Sequence, residues 1–126
     1  MAKPPSDFLA WRTAFEAAGV DDMPKNPRGY WGHETGWHGL VVCSVWDDKI
    51  RRGEARAYIP KANKGGYRKA AEILAINSEV IVILRSRSSQ QGKVLPTLWR
   101  VSSIHLDEPI GDSIGYLQLK NTGKEL

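Results

Sequence analysis

Two hydrophobic rhythms run along the chain. In residues 6–19, SDFLAWRTAFEAAG, Phe8, Trp11, Phe15 and Ala18 recur at the spacing of one helical face. Ser6 is placed to cap the first turn, Asp7 suits the positive end of the dipole, and Gly19 suits a left-handed stop. The pattern predicts a helix over 6–19. A second helix is predicted over residues 67–77, YRKAAEILAIN, where Tyr67, Ala70, Ala71 and Leu74 share a stripe and Asn77 ends it.

The other rhythm is that of strands. Residues 40–46, LVVCSVW, and 79–85, EVIVILR, are nearly continuous β-branched runs, and the second reads as a central strand covered on both faces. Residues 54–60, EARAYIP, alternate, with Ala55, Ala57 and Ile59 on one face and Glu54, Arg56 and Tyr58 on the other. Residues 97–106 and 113–119 predict two more strands, with Pro96 at the start of the first. A short strand fits between Tyr30 and Trp37. Turns are expected at 21–32, at Asp47-Asp48-Lys49, at 61–66 and at 86–93, where Gly, Pro, Asp, Asn and Ser collect. Residues 1–5 and 121–126 read as tails on a single domain.

Short connections between strands favour antiparallel pairing, and so few strands bury their apolar faces best by curling. The expected fold is α+β. It is a small, mostly antiparallel curled sheet or partly open β-barrel, OB-like or PUA-like, with an N-terminal helix and one helix inserted between strands.

Composition narrows the class. Of the 126 residues, 41% are apolar and 25% charged, as in an ordinary soluble domain. No apolar run reaches the roughly 20 residues of a membrane helix, and the N-terminus lacks the apolar core of a secretion signal. A lone cysteine, Cys43, cannot form an intrachain disulfide. These features lead to a cytoplasmic protein.

Charge is uneven. Residues 49–100 carry twelve Lys and Arg against three Glu, whereas both flanking segments are net acidic. A basic centre of this kind points to a polyanion, often nucleic acid. Arg51, Arg52, Arg56, Lys61, Lys64, Arg68, Lys69, Arg85, Arg87 and Arg100 supply the charge. Trp37, Tyr58 and Tyr67 supply rings on which unpaired bases stack. Tyr58 earns its place by sharing the Arg56 face of its strand.

Residues 30–39, YWGHETGWHG, pose a competing chemistry. A zinc-protease helix needs His-Glu-x-x-His, which turns both imidazoles to one side. Here His33-Glu34 is followed by His38, five residues after His33, so the rings diverge by roughly 140° on a helix and face opposite ways on a strand. Only a loop can bring His33, Glu34 and His38 together, with His105 or Cys43 as a further donor. The acidic pairs Asp47-Asp48 and Asp107-Glu108 suit a magnesium ion, but fit turns better.

No Gly-x-Ser-x-Gly elbow and no phosphate-binding Gly-x-x-x-x-Gly-Lys-Ser/Thr loop occurs, and Cys43 sits in an apolar strand where thiols are inert. Ile114-Gly115-Tyr116-Leu117 is similar to the IGY turn of HIRAN domains, which bind DNA ends, and the likeness stops at those four residues.

The sequence therefore leads to a non-enzymatic nucleic-acid-binding module, for single strands rather than duplex, with no cofactor. A metal-dependent enzyme built on His33, Glu34, His38 and His105 is one alternative. A protein-interaction factor, an inhibitor or adaptor whose exposed rings meet a partner or a second copy of the chain, is another.

Overall fold

A computed structural model describes residues 8–21, 32–33, 35–60, 71–87 and 91–126. The elements are β1 (Leu9–Ala10), α1 (Trp11–Ala17), β2 (Gly32–His33), β3 (Val41–Trp46), β4 (Ile50–Arg51), β5 (Glu54–Pro60), β6 (Glu79–Arg85), β7 (Gln91–Val94), β8 (Thr97–His105) and β9 (Ser113–Glu125). They form one curled sheet in the order β1-β7-β6-β8-β9-β5-β4, with β3 on the other edge of β6 and β2 beyond it. The protein is α+β: a mostly antiparallel, partly open barrel with α1 against its outside.

β6 is the centre, as its apolar run predicts. β3 pairs with it in parallel from Val41↔Val80 to Trp46↔Arg85, while β7 and β8 pair with it antiparallel on the opposite edge. The parallel pair departs from the antiparallel expectation. A long excursion through β4 and β5 separates β3 from β6, and parallel neighbours need such a crossover. Both strands are covered on both faces, which is why each is a near-continuous apolar run.

β7 and β8 act as one bent strand. Three steps along β6, from Ile83 to Val80, face five along the partner, from Val94 to Trp99. The two extra residues bulge out around Leu95-Pro96, where proline's missing N–H leaves no ladder bond broken. Gln91–Val94 thus belongs to the sheet, whereas the sequence places most of it in the 86–93 loop.

α1 is shorter than the 6–19 helix expected. Leu9 and Ala10 are extended instead and pair with Gly92 and Gln91, so a tertiary ladder outcompetes local helix propensity. Phe8, expected on the buried face, is 40% exposed, whereas Trp11, Ala14, Phe15 and Ala18 are buried. Gly19 takes the left-handed stop at φ +92°, and the Val20 N–H returns to the Phe15 carbonyl at 3.1 Å. Trp11 lies directly over Gly92, where a Cβ would sit 2.8 Å from its ring.

Of the second helix, residues 71–72 are helical, Ala71 and Leu74 are buried, and Asn77 stops the segment at φ +72°. Residues 61–70 lie outside the described residues. The largest departure is at the C-terminus. Residues 121–125, read from sequence as a tail, extend β9 to thirteen residues. Thr97 pairs with Glu125, Thr122 Oγ1 donates to the Leu98 carbonyl at 2.8 Å, and the Leu126 N–H reaches the Pro96 carbonyl. The first half of β8 has no other partner on that side, so a polar segment is recruited to its backbone. Among the described residues no helix is long and apolar enough to cross a membrane.

Candidate functional site

The alternation of β5 holds: Ala55, Ala57 and Ile59 are buried in the barrel, and Arg56 and Tyr58 stand on its outer face. β9 pairs antiparallel with β5, setting Gln118 opposite Arg56 and Tyr116 opposite Tyr58. Leu117 and Leu119 point inward, so Tyr116 and Gln118 must point out.

β8 completes the face through a change of phase. Trp99 and Val101 are buried, and a regular strand would turn Ser103 and His105 inward with them. Instead Val101 faces Leu119 and Ser103 faces Gln118, so Ser102 is an extra residue. This bulge turns Ser103 and His105 outward and lets Ile104 pack against the core. Ser102 Oγ donates to the Gln118 carbonyl at 3.1 Å, holding the bulge closed.

Three strands thereby contribute two cross-strand rows, Arg56–Gln118–Ser103 and Tyr58–Tyr116–His105. Tyr58 and Tyr116 lie 5.7 Å apart, and His105 stacks on Tyr116 at 4.4 Å. The Arg56 guanidinium carbon is 4.3 Å from the Tyr116 centroid, its Nε donates to Gln118 Oε1 at 3.3 Å and its Nη1 to Tyr58 Oη at 3.4 Å. The Tyr58 bond is the main reason the Arg56 pKa is raised above its ordinary value. His105 Nε2 lies 2.9 Å from Ser103 Oγ, and its Nδ1 2.7 Å from Glu108 Oε2.

Beside the rings opens a groove of about 460 Å³ lined by Asp48, Lys49, Arg51, Arg52, Glu54, Ala55, Arg56, Tyr58 and Gln118. Four cations face two carboxylates there. Arg52 and Gly53 both have positive φ, 52° and 75°, the signature of a tight two-residue hairpin joining β4 to β5. That turn brings Arg51 and Arg52 beside Arg56. The Lys49 ammonium sits 5.8 Å from the Tyr58 ring.

The remaining candidates go elsewhere or lie outside the described residues. Arg85 is layered between Trp11, at 4.8 Å, and Trp46, at 4.4 Å, and Arg87 covers Trp46 at 4.1 Å while pairing with Asp48 at 3.1 Å. This second cation–aromatic stack meets the groove at Asp48. Arg100 Nη1 donates to Asn77 Oδ1. Trp37 is half-buried against Gly19, its N–H bonded to the Ala18 carbonyl, and does not join the Tyr58 face. Lys61, Lys64, Tyr67, Arg68 and Lys69 lie outside the described residues, as does Glu34.

Of the metal candidates, His33 is buried on β2 and accepts the Thr35 N–H at 3.2 Å. His38 is exposed, in a 3₁₀ turn, at φ +58°. His105 belongs to β8, which pairs with β6 and β9, whereas β2 pairs with β3. Among the described residues no three His, Cys, Asp or Glu side chains gather as a metal-holding group. Cys43 is buried and desolvation pushes its thiol up to about 12.

Tyr116, Gln118, Ser103 and Lys49 are absent from the sequence-based set, and His105 enters it only as a metal ligand. Tyr116 and Gln118 were reachable: Leu117 and Leu119 on one face of SIGYLQL leave them on the other. The IGYL tetrapeptide lies within β9 rather than in a turn. No family model, no curated protein and no solved structure matches the chain.

Proposed function

We propose that the outer face of β5, β9 and β8, with the groove beside it, binds single-stranded nucleic acid. The observation that carries this reading is the adjacency of a four-cation groove to a ladder of rings on the same exposed face. Phosphates run along Lys49, Arg51, Arg52 and Arg56. A base stacks on Tyr58, because Tyr116 already has His105 and Arg56 against it. Glu54 and Asp48 thin the positive field locally, so binding is moderate rather than tight. A buried lone thiol is compatible with the reducing cytoplasm, where we place the protein.

The test is affinity for labelled oligonucleotides across a salt series. Each phosphate neutralised in a single strand contributes a slope of about −0.7 in log K against log salt. Four engaged cations give a slope of roughly −3 on that rule. Absence of binding at low salt, or a flat salt response, would falsify the reading.

A further inference from the structure

We propose that Ser103, His105 and Glu108 form a hydroxyl-activating relay that makes Ser103 a nucleophile toward carboxylic esters. The inference goes beyond nucleic-acid binding and does not depend on it. Its basis is the pair of short contacts on His105: 2.9 Å from Nε2 to Ser103 Oγ and 2.7 Å from Nδ1 to Glu108 Oε2. A carboxylate on Nδ1 keeps the proton there and leaves the Nε2 lone pair facing the serine hydroxyl. Nucleophile, base and orienting acid in that order are the working parts of serine acyl transfer, which unrelated folds assemble in different chain orders.

The backbone holds this arrangement in place. The Ser102 bulge turns Ser103 and His105 to one face, two residues apart and side by side, and Ser102 Oγ locks the bulge to the Gln118 carbonyl. Tyr116 stacks on the imidazole and fixes its plane. Gln118 lies opposite Ser103, and Arg56 Nε holds its amide by the oxygen. The NH2 edge of that amide is the donor we assign to the developing oxyanion. The His105 and Glu108 side chains are 30% and 59% exposed, so the site is open to water and the expected catalysis is slow.

In the reaction, Ser103 Oγ attacks the carbonyl carbon as its proton passes to Nε2. The tetrahedral intermediate collapses, the bond to the alcohol oxygen breaks, and the alcohol leaves with the proton from Nε2. A water then gives its proton to Nε2 and attacks the acyl-serine. The bond from Oγ to the acyl carbon breaks, the proton returns to Oγ, and a carboxylic acid is released. Glu108 touches only His105 and is a positioning residue.

The experiment treats the full chain, without oligonucleotide, with a fluorophosphonate that phosphonylates activated serines, and follows p-nitrophenyl acetate hydrolysis in parallel. The expected result is an adduct on Ser103, located by peptide mass spectrometry. Ser103→Ala, which removes one oxygen from a partly exposed strand position, abolishes both signals while circular dichroism stays unchanged. His105→Gln slows labelling by about a hundredfold. Glu108→Gln slows it by about tenfold, and Glu108→Asp recovers part of that rate by keeping the carboxylate. No adduct, an adduct on another serine, or ester hydrolysis that survives Ser103→Ala overturns the proposal.

Discussion

His105 and Tyr116 face each other across the β8–β9 ladder with ring centroids 4.4 Å apart and planes 17° from parallel. Two backbone features create this pair. The Ser102 bulge turns His105 outward, and Gly115 lets β9 pass close beneath the His105 carbonyl.

Gly115→Ala tests the second feature. A Cβ there runs into the His105 carbonyl oxygen and comes within 2.8 Å of the Leu106 Cα, both backbone atoms that cannot swing aside. The strands must separate locally, at about 1–3 kcal/mol by analogy with overpacked cores. Urea denaturation reads the loss of stability. The His105 ring protons lose the upfield shift that Tyr116 imposes on them. An unchanged midpoint with an unchanged shift contradicts this role for Gly115.

Deleting Ser102 tests the first feature. Without the extra residue the phase of Val101 continues, so Ser103 and His105 turn into the barrel and Ile104 turns out. Burying an unpartnered imidazole and hydroxyl while exposing an isoleucine costs about 3–6 kcal/mol. The expected outcome is a large drop in the urea midpoint or a chain that fails to fold. A shortened chain as stable as the parent shows that β8 tolerates either phase.

Tyr58 carries the stacking assignment. Tyr58→Ala weakens oligonucleotide binding by about 1–3 kcal/mol, the range of a single base–aromatic stack. Tyr58→Phe keeps the ring and loses only the bond from Arg56, so it stays close to the parent. Fluorescence titration at one fixed salt concentration measures both. Equal affinity for Tyr58→Ala and the parent removes Tyr58 from the site.

Cys43 reports on the core from inside β3. Burial raises its thiol from the ordinary 9.0 to about 12. Between those values the unfolded chain loses the proton and the folded chain keeps it. The stabilisation is therefore complete below pH 9.0 and is lost as the pH climbs toward about 12. A thiol reagent at pH 8 should leave the native protein unmodified and react fully in urea. Cys43→Ala should flatten the alkaline fall in stability relative to the parent. Rapid native-state labelling means that β3 is more accessible than its packing implies.

The local chemistry of the chain determined which segments are strands, which face of β5 carries Arg56 and Tyr58, and where Gly19 and Asn77 stop their segments. It also determined the apolar character of β3 and β6, because continuous β-branched runs have no polar face to give to water. Tertiary structure alone decided the pairing. Leu9 and Ala10 left a helical pattern to join Gly92 and Gln91, and Asn121–Glu125, polar and unpatterned, became strand because β8 offered an unpaired edge. The candidate site followed the same division. Arg56 and Tyr58 were legible from one strand's alternation. Their meeting with Tyr116, Gln118, Ser103 and His105 rests on a register and a bulge, which arise from contacts between residues far apart in the chain and leave no local period to read.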